Sequence, residues 1–98
     1  MAKYVITNKA VSDLSSIWDY TYDVWSESQA DKYYQLLVDG FVELAADPEK
    51  GRNFDEIETG LKGFRIAKHI IFYFIAKNKI EIIRILHEQM DLKEHFNG

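Results

Sequence analysis

The stretch His69–Asp91, HIIFYFIAKNKIEIIRILHEQMD, constrains the fold more than any other part of the sequence. It contains two apolar runs rich in β-branched and aromatic residues, His69–Ala76 and Ile80–His87, on either side of Lys77-Asn78-Lys79. Because asparagine tolerates a positive φ, these three polar residues predict a tight turn between antiparallel strands. Neither run alternates cleanly between apolar and polar residues. This predicts strands covered on both faces, or on one face by helices and on the other by a partner.

Two amphipathic helices are predicted ahead of this hairpin. The first covers Lys9–Trp25, where apolar residues recur every three or four positions, and Asn8 is its expected N-cap. Ser26 and Gln29 have the spacing of a capping box, which predicts the start of the second helix, and Ser28 with Asp31 offers an alternative start. Asp47-Pro48 ends that helix, because the residue before a proline is disfavoured in helical conformation.

The remaining segments complete a predicted α+β fold. Tyr4–Thr7 is a short β-prone run, Glu49–Gly60 has the composition of a loop, and Leu61–Ala67 is a third β-prone run before the hairpin. The predicted order is β-α-α-β-β-β within a single domain, residues 1–98: a helical hairpin packed on a mostly antiparallel sheet. The last three strands should form a meander, and the edge that carries the first strand stays open. Met90–Phe96 can add a final helical turn.

Charge is distributed unevenly along the chain. Residues 1–60 carry five Lys and Arg against twelve Asp and Glu, a balance of −7, whereas residues 61–98 carry seven against four, a balance of +3. A basic face on the second half could meet nucleic acid or an acidic partner, or its lysines could simply protect a strand edge. The longest apolar run, Ile70–Ala76, is too short to cross a bilayer, no secretory signal is visible and cysteine is absent. We therefore expect a cytoplasmic protein.

Few residues suggest catalysis. No phosphate-binding loop or nucleophile elbow is present, and the nearest two histidines are eight residues apart with no carboxylate spaced to complete a metal site. Ribonuclease chemistry needs a base, an acid and cations near the phosphate, for which Arg65, Tyr73 and His87 are suitable types. The alternative is that Tyr73 belongs to the core. A regular strand would also place Arg84 and His87 on opposite faces.

Two motifs resemble a known family. Gly60–Tyr73, GLKGFRIAKHIIFY, followed by Ile82–Asp91, IIRILHEQMD, is similar to the signature of ParE-type toxins of the RelE/ParE superfamily. The resemblance implies the same β-α-α-β-β-β fold and a cytoplasmic toxin of a type II toxin–antitoxin (plasmid stabilisation) system, neutralised by a ParD-like antitoxin. It implies no cofactor and no enzymatic activity, with inhibition of DNA gyrase as the toxic action. A RelE-like, ribosome-dependent mRNA interferase and an inactive antitoxin-binding module are the alternatives.

The resemblance also indicates residues for two binding surfaces. The target-binding residues it implies are basic or terminal in the hairpin: Lys68, His69, Arg84, His87, Met90 and Asp91. An acidic helical hairpin beside a basic, apolar sheet edge can form a groove for an antitoxin arm that folds on binding. The residues predicted for that groove are Tyr33, Tyr34, Phe41, Phe64 and Arg65.

Overall fold

A computed structural model describes residues 3–90 and 92–97 of the 98-residue chain. Two long helices lie against one face of a five-stranded sheet, which confirms the predicted α+β class. No helix in the described residues is long and apolar enough to cross a membrane. In chain order the elements are β1 (Tyr4–Ile6), α1 (Asn8–Val24), α2 (Glu27–Ala46), a 3₁₀ turn (Pro48–Lys50), β2 (Arg52–Asn53), β3 (Lys62–Ile66), β4 (His69–Ala76), β5 (Lys79–His87) and α3 (Leu92–Asn97).

The strand order in the sheet is β1-β5-β4-β3-β2. Strands β3, β4 and β5 form the predicted antiparallel meander, and β1 lies at the edge beside β5, parallel to it. The predicted loop Glu49–Gly60 is partly wrong, because it contains the strand β2, which pairs with Lys62 and Gly63 of β3. A two-residue strand leaves no periodic signal in the sequence, yet its backbone groups still extend the sheet.

The first helix begins one residue earlier than predicted. Its N-cap is Thr7, whose hydroxyl accepts a hydrogen bond from the N–H of Ala10 (3.2 Å), so the prediction of Asn8 as the cap is wrong. The Thr7 hydroxyl also donates to the carbonyl of Ile83 in β5, at 3.1 Å. One side chain therefore caps α1 and ties it to the sheet, a tertiary contact that the sequence does not display.

The second helix follows its prediction closely. The Ser26 hydroxyl accepts from the N–H of Gln29 at 3.1 Å, and the helix ends at Ala46, ahead of Asp47-Pro48. Its apolar stripe is buried against the sheet, where Gly40 permits a close approach because a Cβ there would collide with the δ-carbon of Ile66.

Apolar clusters cover both faces of the sheet. The larger cluster lies between the helices and the sheet and includes Leu37, Phe41 and Ile82, whereas the smaller lies on the other face and includes Phe72 and Leu86. Phe54 and Phe96 pack edge-on against Phe72, at ring-centroid distances of 5.2 and 5.1 Å. The second face is thus covered by the segment after β2 and by α3, which confirms that the hairpin strands are buried from both sides.

A β-bulge divides the hairpin into two parts. Phe72 lies opposite Arg84 and Tyr73 opposite Ile82, so Ile83 is an extra residue in β5. We call the part from Tyr73 to Ile82 the turn end; there Asn78 turns the chain with φ 62°. We call the part beyond the bulge, where His69 lies opposite His87, the histidine end.

The bulge also changes which face the side chains of β5 occupy. Ile82 and Ile85, an odd number of positions apart, both belong to the cluster under the helices. Arg84 reaches Asp13 of α1, and His87 lies near Tyr20 of the same helix. Between Arg84 and His87 the pairing is regular, so the two residues start from opposite faces of the sheet, as expected. The long Arg84 side chain nevertheless reaches Asp13 at the edge of β5 that lies beyond the end of β1.

Candidate functional site

Two adjoining cavities open at the histidine end of the sheet. Their volumes are about 460 and 330 Å³, and they share Tyr20, His69 and His87. We call this continuous space the histidine cleft. Its walls come from α1, the start of α2 and the chain after β5, and its remaining lining residues include Ile17, Thr21, Trp25, Gln29, Tyr33, Lys68, Ile85, Gln89 and Met90.

His69 and His87 form the floor of the cleft as a directly opposed cross-strand pair. Their ring centroids are 5.3 Å apart and the ring planes are nearly perpendicular, at 83°. Nδ1 of His69 lies 2.6 Å from the hydroxyl of Tyr33 in α2, and that hydroxyl accepts a hydrogen bond from the N–H of Lys68 at 3.3 Å. The helical hairpin thus fixes the first ring of the pair through Tyr33.

The environment of His69 disfavours its charged form. Burial and, to a smaller degree, the neighbouring His87 lower its pKa from 6.5 to about 4, although the carboxylates of Glu88 and Asp13 act in the opposite direction. Burial also raises the pKa of Tyr33. At neutral pH His69 is therefore a neutral ring held by a neutral tyrosine, and its chemistry is that of hydrogen bonding rather than of a fixed cation.

The end of β5 is ordered around His87 by short local hydrogen bonds. The N–H of Gln89 donates to Nδ1 of His87 at 3.2 Å, and the N–H of Met90 donates to the His87 carbonyl at 3.0 Å. The N–H of Glu88 donates to the carbonyl of Lys68 at 2.9 Å. The Met90 side chain is exposed at the rim of the cleft, and the predicted Asp91 lies outside the described residues.

Arg84 is held in an ion pair rather than presented to solvent. Its Nε and one terminal nitrogen donate to the two carboxylate oxygens of Asp13, at 2.8 and 3.0 Å, which raises the pKa of Arg84. One of these oxygens also accepts the N–H of Ile85 at 3.0 Å. Asp13 therefore closes the edge of β5 beyond the end of β1 and neutralises a cation for which the family resemblance implied a role in target binding.

The structure does not bring the three ribonuclease candidates together. Tyr73 is fully buried; its hydroxyl donates to the Pro48 carbonyl at 2.8 Å and accepts from the N–H of Gly51 at 3.0 Å. Arg65 is paired with Glu88. Tyr73 lies four residues along β4 from the histidine pair, about 13 Å at the rise of a strand. A catalytic role for Tyr73 is therefore wrong for this arrangement, and the core alternative is correct.

The five residues predicted for the antitoxin groove do not form one surface. Phe41 is fully buried in the core, so the expectation that it is exposed is wrong. Phe64 is half-buried with the Lys50 ammonium above its ring, and Arg65 is exposed beside Glu88. Tyr33 lines the histidine cleft, whereas Tyr34 is exposed in a separate shallow depression on the outer side of the helices.

Two cleft residues were missed: Tyr20 because it lies on the polar side of α1, and Trp25 because its spacing assigned it to the apolar stripe of that helix, an assignment that its exposure shows to be wrong. Tyr20 and Trp25 are 67% and 73% exposed, far more than aromatic side chains in a core. An aromatic residue on the solvent side of an amphipathic helix was the available signal. Among the described residues, no three His, Asp or Glu side chains come together in a way that could hold a metal ion.

Comparisons with known proteins agree with the fold. A solved chain from the chromosomal ParDE toxin–antitoxin system of P. aeruginosa superposes with a TM-score of 0.74 at 21% identity, over 89% of this chain and 95% of that one. Toxin ParE1 of Mycobacterium tuberculosis (strain ATCC 25618 / H37Rv) is 35% identical over 92 residues, 93% of this chain and 94% of the relative. Toxin ParE1 of Caulobacter vibrioides is 30% identical over 95 residues, 97% and 98% of the two chains.

These similarities identify the class of protein as a small α+β toxin of the type encoded with an antitoxin. The family model for the ParE toxin of type II toxin–antitoxin systems, parDE, matches residues 4–92, nearly the whole chain. The chain belongs to the ParE toxin family, as its two motifs predicted.

Proposed function

We propose that this ParE-family protein is a cytoplasmic, single-domain toxin that inhibits DNA gyrase by binding it, without catalysing a reaction. Membership of the ParE family supports the toxin assignment. The buried hydroxyl of Tyr73 supports the absence of a ribonuclease site. This hydroxyl makes both of its hydrogen bonds with backbone groups of the same chain, those of Pro48 and Gly51, and the side chain is 0% exposed.

The histidine end is the proposed target-binding surface. Of the residues that the family resemblance implies, Lys68, His69, His87 and Met90 lie together here, and Asp91 follows directly in sequence. Arg84 contributes indirectly, because its ion pair with Asp13 holds the strand that carries His87. This assigns Arg84 a positioning role rather than a contact.

A ParD-like antitoxin is the proposed partner that holds the toxin inactive. The solved chain that this fold matches belongs to a ParDE system. In this chain, Tyr20, Trp25 and Met90 expose apolar surface around the cleft, which an arm that folds on binding would remove from water. Tyr33, Phe64 and Arg65 remain proposed contacts, and Phe41 can act only by shaping the core beneath them.

A paired assay tests the proposed function on one protein preparation. We expect inhibition of gyrase supercoiling, with ribosome-dependent cleavage of mRNA absent and translation intact. Lys68→Glu should relieve this inhibition, whereas Lys77→Glu should not, because Lys77 is an exposed lysine at the turn end of the same hairpin. The two variants change charge equally, so a difference between them reports the location of the surface.

The same preparation distinguishes the alternatives. If the protein cleaves ribosome-bound mRNA and His87→Ala abolishes that cleavage, the toxic action is that of an mRNA interferase and the proposal of gyrase inhibition is wrong. Normal growth of cells that express the toxin without an antitoxin would indicate an inactive antitoxin-binding module.

A further inference from the structure

The hydrogen bonds to the two cleft histidines indicate which nitrogen of each ring carries a proton. A backbone N–H can only donate, so Nδ1 of His87 accepts from Gln89 and the N–H group of this ring is at Nε2. Tyr33 already accepts from Lys68, and its own proton can go to Nδ1 of His69 at 2.6 Å or to the Ile66 carbonyl at 3.5 Å. The contact with His69 is a hydrogen bond in either direction; we place the Tyr33 proton in it because the alternative acceptor, the Ile66 carbonyl, lies at the long limit of 3.5 Å, and His69 is then also the Nε2–H form.

Both rings therefore present a donor on the side away from their internal partners. No hydrogen bond joins Nε2 of either ring to another residue in the described ranges 3–90 and 92–97, and neither nitrogen is a fully buried atom without a partner. The two Nε2–H groups are consequently available to a ligand. Their Nδ1 partners belong to the fold, so an approaching group meets two donors in fixed orientation.

The charges around the cleft define the ligand further. Arg84 and Arg65 are neutralised by Asp13 and Glu88, while the Lys68 ammonium makes no ion pair with another described residue. One lysine and two N–H donors match a single carboxylate. They do not match a polyphosphate strand, which needs several cations along its length and would meet the acids of the first sixty residues.

We propose that the histidine cleft binds one carboxylate side chain, flanked by apolar residues, from the antitoxin. The carboxylate accepts hydrogen bonds from Nε2–H of His69 and His87 and pairs with Lys68. The apolar neighbours pack on Tyr20, Trp25 and Met90, which are between 42% and 73% exposed in the free toxin. This proposal rests on the proposed function, because the carboxylate is taken to come from the antitoxin. The tautomers of the two histidines and the preference for a carboxylate depend only on this chain and can be tested without an antitoxin.

The first experiment uses the toxin without an antitoxin. Long-range nitrogen–proton NMR of histidine-labelled protein should show both rings in the Nε2–H form at pH 7.5. Acetyl-Leu-Glu-Phe-amide should shift these signals at a lower concentration than acetyl-Leu-Gln-Phe-amide. An Nδ1–H signal from either ring, equal shifts by both peptides, or larger shifts by inorganic phosphate or oligothymidylate would each overturn the proposal.

The second experiment measures affinity in the toxin–antitoxin complex. His69→Asn and His87→Asn keep an oxygen near the position of Nδ1 but remove the Nε2–H donor. Each should weaken binding by about tenfold or more, since a hydrogen bond to a charged group is lost. Replacing the contacting Asp or Glu of the antitoxin by its amide should make these losses disappear.

Two negative outcomes have different meanings. A tight complex whose affinity is unchanged in both histidine variants overturns the carboxylate site and leaves the toxin–antitoxin function intact. Failure to form any complex, with the peptide preference still present, contradicts the proposed antitoxin partner and leaves the carboxylate site standing.

Discussion

The turn end and the histidine end of the β4–β5 hairpin are held by different kinds of bond. At the turn end, β1 pairs with Ile80–Ile82, so backbone groups complete the edge of β5. Beyond the bulge, side chains of Thr7 and Asp13 complete it by bonding the Ile83 carbonyl and the Ile85 N–H. Where side chains replace a strand, the sheet edge stays narrow enough to leave the histidine cleft open beside it.

Two tyrosines show the same contrast. The Tyr73 hydroxyl joins the sheet to the Pro48–Gly51 turn and is fully enclosed. The Tyr33 hydroxyl joins α2 to Lys68 and His69 at the wall of a cavity. The hydrogen bonds of Tyr73 therefore stabilise the fold alone, whereas that of Tyr33 also holds His69, which lines the cleft.

The largest expected effect comes from removing the side-chain closure of β5. Asp13→Ala should lower the free energy of unfolding by about 2 to 3 kcal/mol, because the guanidinium of Arg84 and the N–H of Ile85 both lose their partner. Chemical denaturation measures the loss. The double variant Asp13→Ala with Arg84→Met should recover part of it; a double variant as unstable as the sum of both singles would show that the ion pair itself contributes nothing.

A slightly smaller effect is expected at the turn end. Tyr73→Phe leaves the Gly51 N–H and the Pro48 carbonyl without their partner and should cost about 2 kcal/mol of stability. Tyr22→Phe is the matched control, because Tyr22 is exposed, and should change stability by less than about 0.5 kcal/mol. Antitoxin affinity should be unaffected in both. A loss of affinity in Tyr73→Phe would contradict the purely structural role of the turn end.

The pH dependence of stability sharpens the comparison at the histidine end. The pKa of His69 is about 4 in the folded protein and near 6.5 when unfolded, so between these values the unfolded chain binds more protons. Stability from this group is therefore present above pH 6.5 and decreases as the pH falls toward 4. After allowance for solvent screening, we expect a loss of about 1 kcal/mol over this interval.

The variant His69→Asn isolates that contribution. Between pH 4 and 6.5, the free energy of unfolding should depend less steeply on pH in the variant than in the natural protein. Parallel pH profiles for the two proteins would show that His69 is not the source.

The smallest expected effects distinguish the turns on either side of β4. Ala67 has φ 52° and Asn78 has φ 62°, both in the left-handed region. Alanine is strained there and asparagine much less so; Ala67→Gly should therefore raise thermal stability by about 0.5 kcal/mol and Asn78→Gly should be nearly neutral. Equal shifts in melting temperature for both variants would contradict this difference.

The sequence was sufficient for those elements whose signals are local. The bounds of β4 were predicted correctly because Lys77-Asn78-Lys79 and the turn before His69 delimit it, and α2 because Ser26 caps it and Pro48 follows it. The β4–β5 hairpin and the Ser26 cap of α2 both depend on neighbouring residues alone.

The features that were missed depend on residues far apart in the chain. Thr7 belongs to the end of a strand in sequence, yet it caps α1 and bonds Ile83, 76 positions away. Asp13 lies on the polar side of α1, and its partner Arg84 is 71 positions away. His69 and His87 were among the predicted site residues. Tyr20 and Trp25 were not, because their position beside this pair depends on how α1 crosses the sheet.

The bulge at Ile83 has a consequence for how this gene tolerates change. Tyr73 already pairs with Ile82 and Phe72 with Arg84, so deleting that single codon would make the ladder regular and leave residues 84–87 opposite their present partners. His87 would still face His69, and the cleft would keep both histidines of its floor. β4 has no such extra residue, so an in-frame deletion between His69 and Phe72 should inactivate the protein more often than deletion of Ile83.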